Sequence, residues 1–181
     1  MSHTRGDRSV TGMEVTGEWV RTVAAGVEKF SADSRESALV VLEDADLAGA
    51  EPGQWYSLAG YADAVGAIHE LVGDQAVHAL GQRIARVVTF PDDTEGVAAG
   101  LAALDEVCRA GHRGGEFGGY AFRQIGDDDG RIECRTPYPC AFDRGIVEGA
   151  AVAHAEGFVR VCEVGACRTD GADRCTYEVS W

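Results

Sequence analysis

Cys167 and Cys175 lie eight residues apart around the polar segment Arg168-Thr-Asp-Gly-Ala-Asp-Arg174, and Cys140 precedes the first of them by 27 residues. Gly171 lets that segment turn and bring the two sulfurs together. Pro137-Tyr138-Pro139 stiffens the entry to a helix starting behind Cys140, and the positive end of such a helix favours a thiolate. Zinc takes four ligands in structural sites, prefers thiolate and imidazole, and tolerates one carboxylate. A fold that uses these cysteines as ligands must bring a helix start, a strand end and a hairpin to one point. The strand end supplies the fourth ligand, from Glu163 or Cys162. Alternation sends these two to opposite faces. Val159, Val161 and Glu163 share one face, which favours Glu163 and keeps Cys162 as its substitute. Cys108 and Cys134 read as small core residues. No Cys-x-x-Cys pair is present, so buried thiols without metal are the competing reading, and spacing does not separate zinc from iron.

With 181 residues the chain can bury about two-thirds of its unfolded surface in one core without disulfides. Thirty acidic residues oppose sixteen basic ones, for a net charge of −14. That charge repels phosphate backbones and argues against direct nucleic-acid binding; it suits a solvated surface adapted to high salt, as in a halophilic protein. No run of 18 apolar residues and no secretory pattern is present, so a soluble cytoplasmic protein without a membrane span is expected. In that reducing compartment six cysteines are core residues or metal ligands.

Residues 1–13 are polar and aperiodic, an expected disordered leader to a single domain over 14–181. Val15, Trp19, Val20, Val23, Val27 and Phe30 recur at helical spacing over 14–30, and Asp33-Ser-Arg-Glu reads as a cap and connector. Residues 38–47 read as a short strand or a loop. Three more helices are expected over 53–71, 74–89 and 95–111, broken at Gly73-Asp74 and Pro91-Asp-Asp-Thr. Then the pattern changes. Strands around Gly119–Ile125 and Arg131–Arg135 flank the loop Gly126-Asp-Asp-Asp-Gly130, a helix covers 142–156, and further strands cover 158–163 and 175–181. The expected fold is α+β, with N-terminal helices packed on a C-terminal antiparallel sheet and one helix inserted between its hairpins.

On these elements the C-terminal half resembles the 4-vinyl reductase domain family, which shares its fold with TRAPP vesicle-tethering subunits. The resembling residues are Cys140-x4-Gly145-x3-Gly149, then Val159-x-Val161-x-Glu163, then Cys167-x7-Cys175 followed by an alternating strand. The order of elements matches over 53–181, and the motifs are specific over 132–181. The resemblance implies a structural zinc on Cys140, Cys167, Cys175 and an acidic ligand. In the family that acid lies three positions before the first cysteine of the closing pair; here Glu163 lies four before, because Val164-Gly165-Ala166 intervene. It also implies a regulatory domain that binds a small apolar or aromatic ligand and signals through a homodimer or a regulatory protein partner.

A related fold binds haem and nitric oxide through a Tyr-x-Ser-x-Arg clamp. The corresponding stretch here is Cys134-Arg135-Thr136-Pro137-Tyr138, so haem is expected to be absent, although His69, His78 and His112 could each offer an axial nitrogen. No Gly-x-Gly-x-x-Gly turn lies between a strand and a helix, and His154-Ala-Glu156 lacks the Pro-Cys-x-x-Cys companion of a zinc deaminase. Binding is therefore favoured over catalysis. The alternatives are an enzyme or accessory factor in tetrapyrrole or lipid metabolism, and a protein–protein adaptor. Trp55, Tyr61, His69, Tyr120, Phe122 and Tyr138 are the candidate pocket residues, with an ordinary aromatic core as the plainer reading of the same side chains.

Overall fold

The computed structural model describes residues 10–181. The expected leader lies outside the described residues as far as residue 9. Its last residues belong to the fold, because Met13 is buried in the core. Among the described residues, six helices and two antiparallel sheets make up an α+β architecture.

The first sheet is absent from the sequence-based expectation. Strand β1 (Glu14–Thr16) lies between β2 (Trp55–Ser57) and β3 (His112–Arg113), with Val15 opposite both Tyr56 and His112. Each strand has only two or three residues and runs into or out of a helix, so the helical periodicity beside it hides it. Helix α1 (Gly17–Val27) follows β1 directly and buries Trp19, Val20, Val23 and Val27. Residues 38–47 are neither strand nor loop. Helix α2 spans Ala32–Asp44 and takes in the expected connector, and of its side chains only Ala38 and Leu42 are buried. So narrow a buried face leaves little periodic signal.

Helices α3 (Leu58–Val72), α4 (Asp74–Val87) and α5 (Gly96–Ala110) agree with expectation within a few residues, apart from the stretch that β2 takes from α3. Strands β4 (Gly119–Gln124) and β5 (Asp129–Arg135) form the expected hairpin, and α6 spans Cys140–Ala153. Strands β6 (Arg160–Glu163) and β7 (Cys175–Ser180) complete a second sheet of order β4-β5-β7-β6. Its inner face carries Tyr120, Ile132, Cys134, Cys175, Tyr177 and Val179, all buried.

Helices α4 and α6 pack closely because glycines remove side chains from the contact. A Cβ on Gly145 would stand 2.1 Å from the His78 carbonyl oxygen, and one on Gly81 would stand 2.1 Å from that of Phe142. This contact seats α6 and sets where its first residue, Cys140, meets the sheet.

Candidate metal centre and the buried histidine

Three elements bring the cysteines together. Cys140 opens α6 behind Pro139, Cys175 opens β7, and Cys167 begins a tight turn over Arg168–Asp170. Gly171 closes the turn in the left-handed region at φ 90°, as its backbone freedom suggests. The Sγ atoms stand 3.2 Å apart for Cys140 and Cys167, 3.0 Å for Cys140 and Cys175, and 2.8 Å for Cys167 and Cys175. Two sulfurs at ~2.3 Å from a tetrahedral zinc are about 3.8 Å apart, so seating an ion opens each edge of this triangle by about 1 Å or less. Three soft donors converging from one side leave one coordination position, so the donor set fits zinc or another thiophilic ion.

The charge of the trio collects on one sulfur. Hydrogen bonding with Cys140 pulls the Cys175 thiol down to about 4, helped by Cys167 and by the Arg168 amide at 3.4 Å. The contact with Cys175 pushes Cys140 up, and burial pushes Cys167 up.

Behind the sulfurs lies a buried polar network. The Asp143 carboxylate, fully enclosed, accepts hydrogen bonds from the Tyr120 hydroxyl at 2.7 Å, from the Thr136 hydroxyl and from the Arg168 guanidinium. Arg168 also donates to the Thr136 carbonyl. Burial raises the Asp143 pKa, although Arg168 and the hydroxyls favour its charge. Burial opposes the Arg168 charge as well, but Asp143 together with Cys175 and Cys140 offsets it and holds its pKa above the usual arginine value. The pair fastens the start of α6 to the cysteine turn. Sequence reasoning missed both residues, since no spacing links positions 143 and 168.

Glu163 stands opposite Tyr177, on the face of β7 that carries Cys175, while Cys162 stands opposite Glu178 on the outer face. Arg160 Nε donates to Cys162 Sγ at 3.1 Å. Among the described residues the cluster of converging donors holds the three cysteines alone, and Glu163 is exposed and outside it.

The pocket candidates divide. Tyr61 and Tyr138 meet edge to face at 5.7 Å, and Trp19 stacks on Tyr138 at 6.0 Å. Tyr120 joins this aromatic core through Phe117, at 6.5 Å. Trp55 instead lies under Arg113, His69 pairs with Asp74 at the end of α3, and Phe122 packs over Gly130. His78 bonds Glu148 between α4 and α6.

His112 is the histidine inside the aromatic core. Its ring stacks on Phe117 at 4.2 Å and meets Trp19 edge-on at 4.8 Å. Burial lowers its pKa to about 4, so it is neutral at pH 7.

No helix among the described residues is long and apolar enough to cross a membrane. No family model matches the sequence, and no curated protein matches it. The 4-vinyl reductase resemblance therefore stands on its motifs alone. Solved structures do match. An H-NOX protein from Shewanella oneidensis in the Fe(II)NO state superposes with a TM-score of 0.68 at 15% identity, over 91% of this chain and 98% of that one. A Cs H-NOX mutant carrying the unnatural amino acid 4-cyano-L-phenylalanine gives 0.63 at 16% identity, over 91% and 95%. A structure described as modulating haem redox potential through protein-induced porphyrin distortion gives 0.57 at 16% identity, over 91% and 97%. These matches overturn the expectation that haem is unlikely. That expectation rested on one missing clamp motif, whereas the whole architecture is one in which haem proteins are built. The chain has the H-NOX fold.

Proposed function

We propose that this protein is a small-molecule-sensing domain whose C-terminal half is fastened by a structural zinc ion on Cys140, Cys167, Cys175 and Glu163. The convergence of three sulfurs from α6, β7 and the intervening turn carries this reading. Zinc would replace the proton-sharing of the trio with four bonds that tie a helix start to two strands, so that metal binding and folding are linked. A ligand of apolar or aromatic character suits the core around Trp19, Tyr61 and Tyr138, with the His112–Tyr138 pair as its polar handle. Output passes through a dimer or a partner protein.

Metal content measured on reduced, untagged protein tests the centre. One zinc per chain in the wild type, lost together with thermal stability in Cys167→Ala, supports it. No metal in freshly reduced wild type overturns it.

A second reading, haem binding, is favoured by the fold. His112 is the residue that fits an iron ligand here, since its imidazole is neutral, buried and surrounded by aromatic rings. Its Nε2 now meets the Tyr138 hydroxyl, so ligation would exchange that hydrogen bond for a metal bond and part Tyr138 from Trp19. Haemin titration followed by absorbance decides. A sharp Soret band at one equivalent that His112→Ala abolishes supports this reading, and unstructured absorbance unaffected by the substitution sinks it.

A further inference from the structure

His112 is closed in by four groups, and three of them stand on or beside helices. Trp19 lies on α1, Cys108 on α5, and Tyr138 just ahead of α6. The fourth is Phe117, whose ring lies flat on the imidazole at 4.2 Å with 5° between the planes. Phe117 is buried, yet it stands between β3 and β4 on a segment, residues 114–118, that has no helix or strand. Among the described residues no backbone–backbone hydrogen bond outside the regular elements involves that segment. A core aromatic ring is thus carried by backbone that no ladder fixes.

The two ends of this strap are glycine pairs. Gly114 and Gly115 take φ of 90° and 157°, and Gly118 and Gly119 take 104° and 147°. Side-chain-bearing residues rarely adopt such backbone, whereas glycine absorbs large changes of φ and ψ at little cost. The tip between the pairs, Glu116-Phe117, is held from outside by one side chain. Arg109 on α5 donates to Glu116 Oε2 through Nη1 at 2.9 Å and to the Gly118 carbonyl through Nη2 at 2.8 Å. Its guanidinium lies 5.7 Å from the centre of the Phe117 ring. Asp105 orients it, accepting from Arg109 Nε at 2.7 Å and from the Tyr120 amide at 2.8 Å. The Arg109 and Glu116 side chains are 40% and 84% exposed, so water competes for their ion pair and it breaks easily.

We propose that residues 114–119 form a gate over His112, latched by Arg109, that swings Phe117 outward and bares the imidazole to an incoming small molecule. The gate rests on the reading of His112 as polar handle or iron ligand, and adds the route of access and the side chain that controls it. Segments with few backbone hydrogen bonds open locally while the rest of a fold stays closed. Here Trp19, Tyr61 and Tyr138 keep their packing because they belong to other elements. Loss of the latch moves the balance towards the open strap.

Hydroxyl-radical footprinting of the full chain, read by mass spectrometry, compares Phe117 with Phe142 on α6, rings that are 1% and 0% exposed. Opening of the whole fold bares both rings, and opening of the strap bares Phe117 alone. Phe117 is expected to oxidise at least tenfold faster than Phe142 in the wild type. Arg109→Met should raise the Phe117 rate at least threefold further and leave Phe142 unchanged. Glu116→Gln, at an exposed side chain, gives the same reading should Arg109→Met not fold. Equal oxidation of the two rings in the wild type overturns the proposal, as does a Phe117 rate that neither variant raises. No ligand enters this measurement, so the gate and the sensing reading fail separately. A mobile Phe117 in a protein that gives no Soret band with haemin keeps the gate and removes the iron-ligand reading.

Discussion

The Tyr138 hydroxyl stands 2.5 Å from Nε2 of His112, while Nδ1 of the same ring stands 2.6 Å from the carbonyl oxygen of Cys108. A carbonyl only accepts, so Nδ1 carries the proton and Nε2 accepts from Tyr138. Both nitrogens are satisfied by the neutral ring, and protonation would make Nε2 a donor and force the Tyr138 bond to reverse. The histidine pKa falls from its ordinary 6.5 to about 4 on folding. A depressed histidine contributes stability that is complete above about 6.5 and is lost as pH falls towards 4. Between pH 7.5 and 4.5 this amounts to about 2–3 kcal/mol. Urea unfolding at both values should show that much less acid sensitivity in His112→Phe than in wild type. Equal slopes in the two proteins would remove the histidine from the account.

The Asp143–Arg168 pair should behave as a unit. Arg168→Met leaves a carboxylate with no exposure and only two hydroxyl donors, and Asp143→Leu strands a largely buried guanidinium. Breaking one side of such a pair costs about 3–5 kcal/mol, whereas removing both sides can approach neutrality. The double variant should therefore be more stable than either single one, which chemical denaturation of all four proteins measures through the coupling energy. Additive losses would mean that the pair is not coupled.

How far the sequence disclosed this molecule follows from where its signals are local. Helices α3 to α6 and the β4–β5 hairpin announce themselves because periodicity, glycine breaks and turn residues lie within each segment. The β2-β1-β3 sheet does not, because Val15, Tyr56 and His112 meet over long separations through strands too short to alternate. Cys140, Cys167 and Cys175 were legible from their spacing and the turn between the last two. Asp143 looked like any acidic residue on a helix. Only the packing of α6 shows that it is enclosed, and only the cysteine turn brings Arg168 to it. His112 was one histidine among five until the fold surrounded it with aromatic rings.

The α4–α6 contact predicts a large effect from a small substitution. Alanine at Gly145 suits a helix by propensity, yet its Cβ would meet the His78 carbonyl at 2.1 Å, a backbone atom that cannot swing aside. Overpacking of this kind costs about 3 kcal/mol, a fall of roughly 6–12 °C in Tm for a domain of this size. Alanine at Gly157, where the added atom meets nothing within 4 Å, serves as the control. Calorimetry of the two variants separates steric contact from the general effect of replacing glycine.

Glu163 and Cys162 make opposite predictions for the fourth ligand. Glu163 shares its sheet face with Cys175, so ligation through its carboxylate keeps the β6–β7 register. Cys162 lies on the other face beside Arg160, so ligation through it would require the strand to rotate and break its register with β7. Glu163→Gln should weaken zinc retention against a competing chelator by at least a factor on the order of 10–100, the loss typical of an outer-shell partner alone, while Cys162→Ser should leave it unchanged. Melting with and without chelator should follow the same order, because an ion that binds only the folded chain raises its stability in proportion to the logarithm of affinity. Weakening by Cys162→Ser alone would reverse the assignment and imply that β6 is re-registered when metal binds.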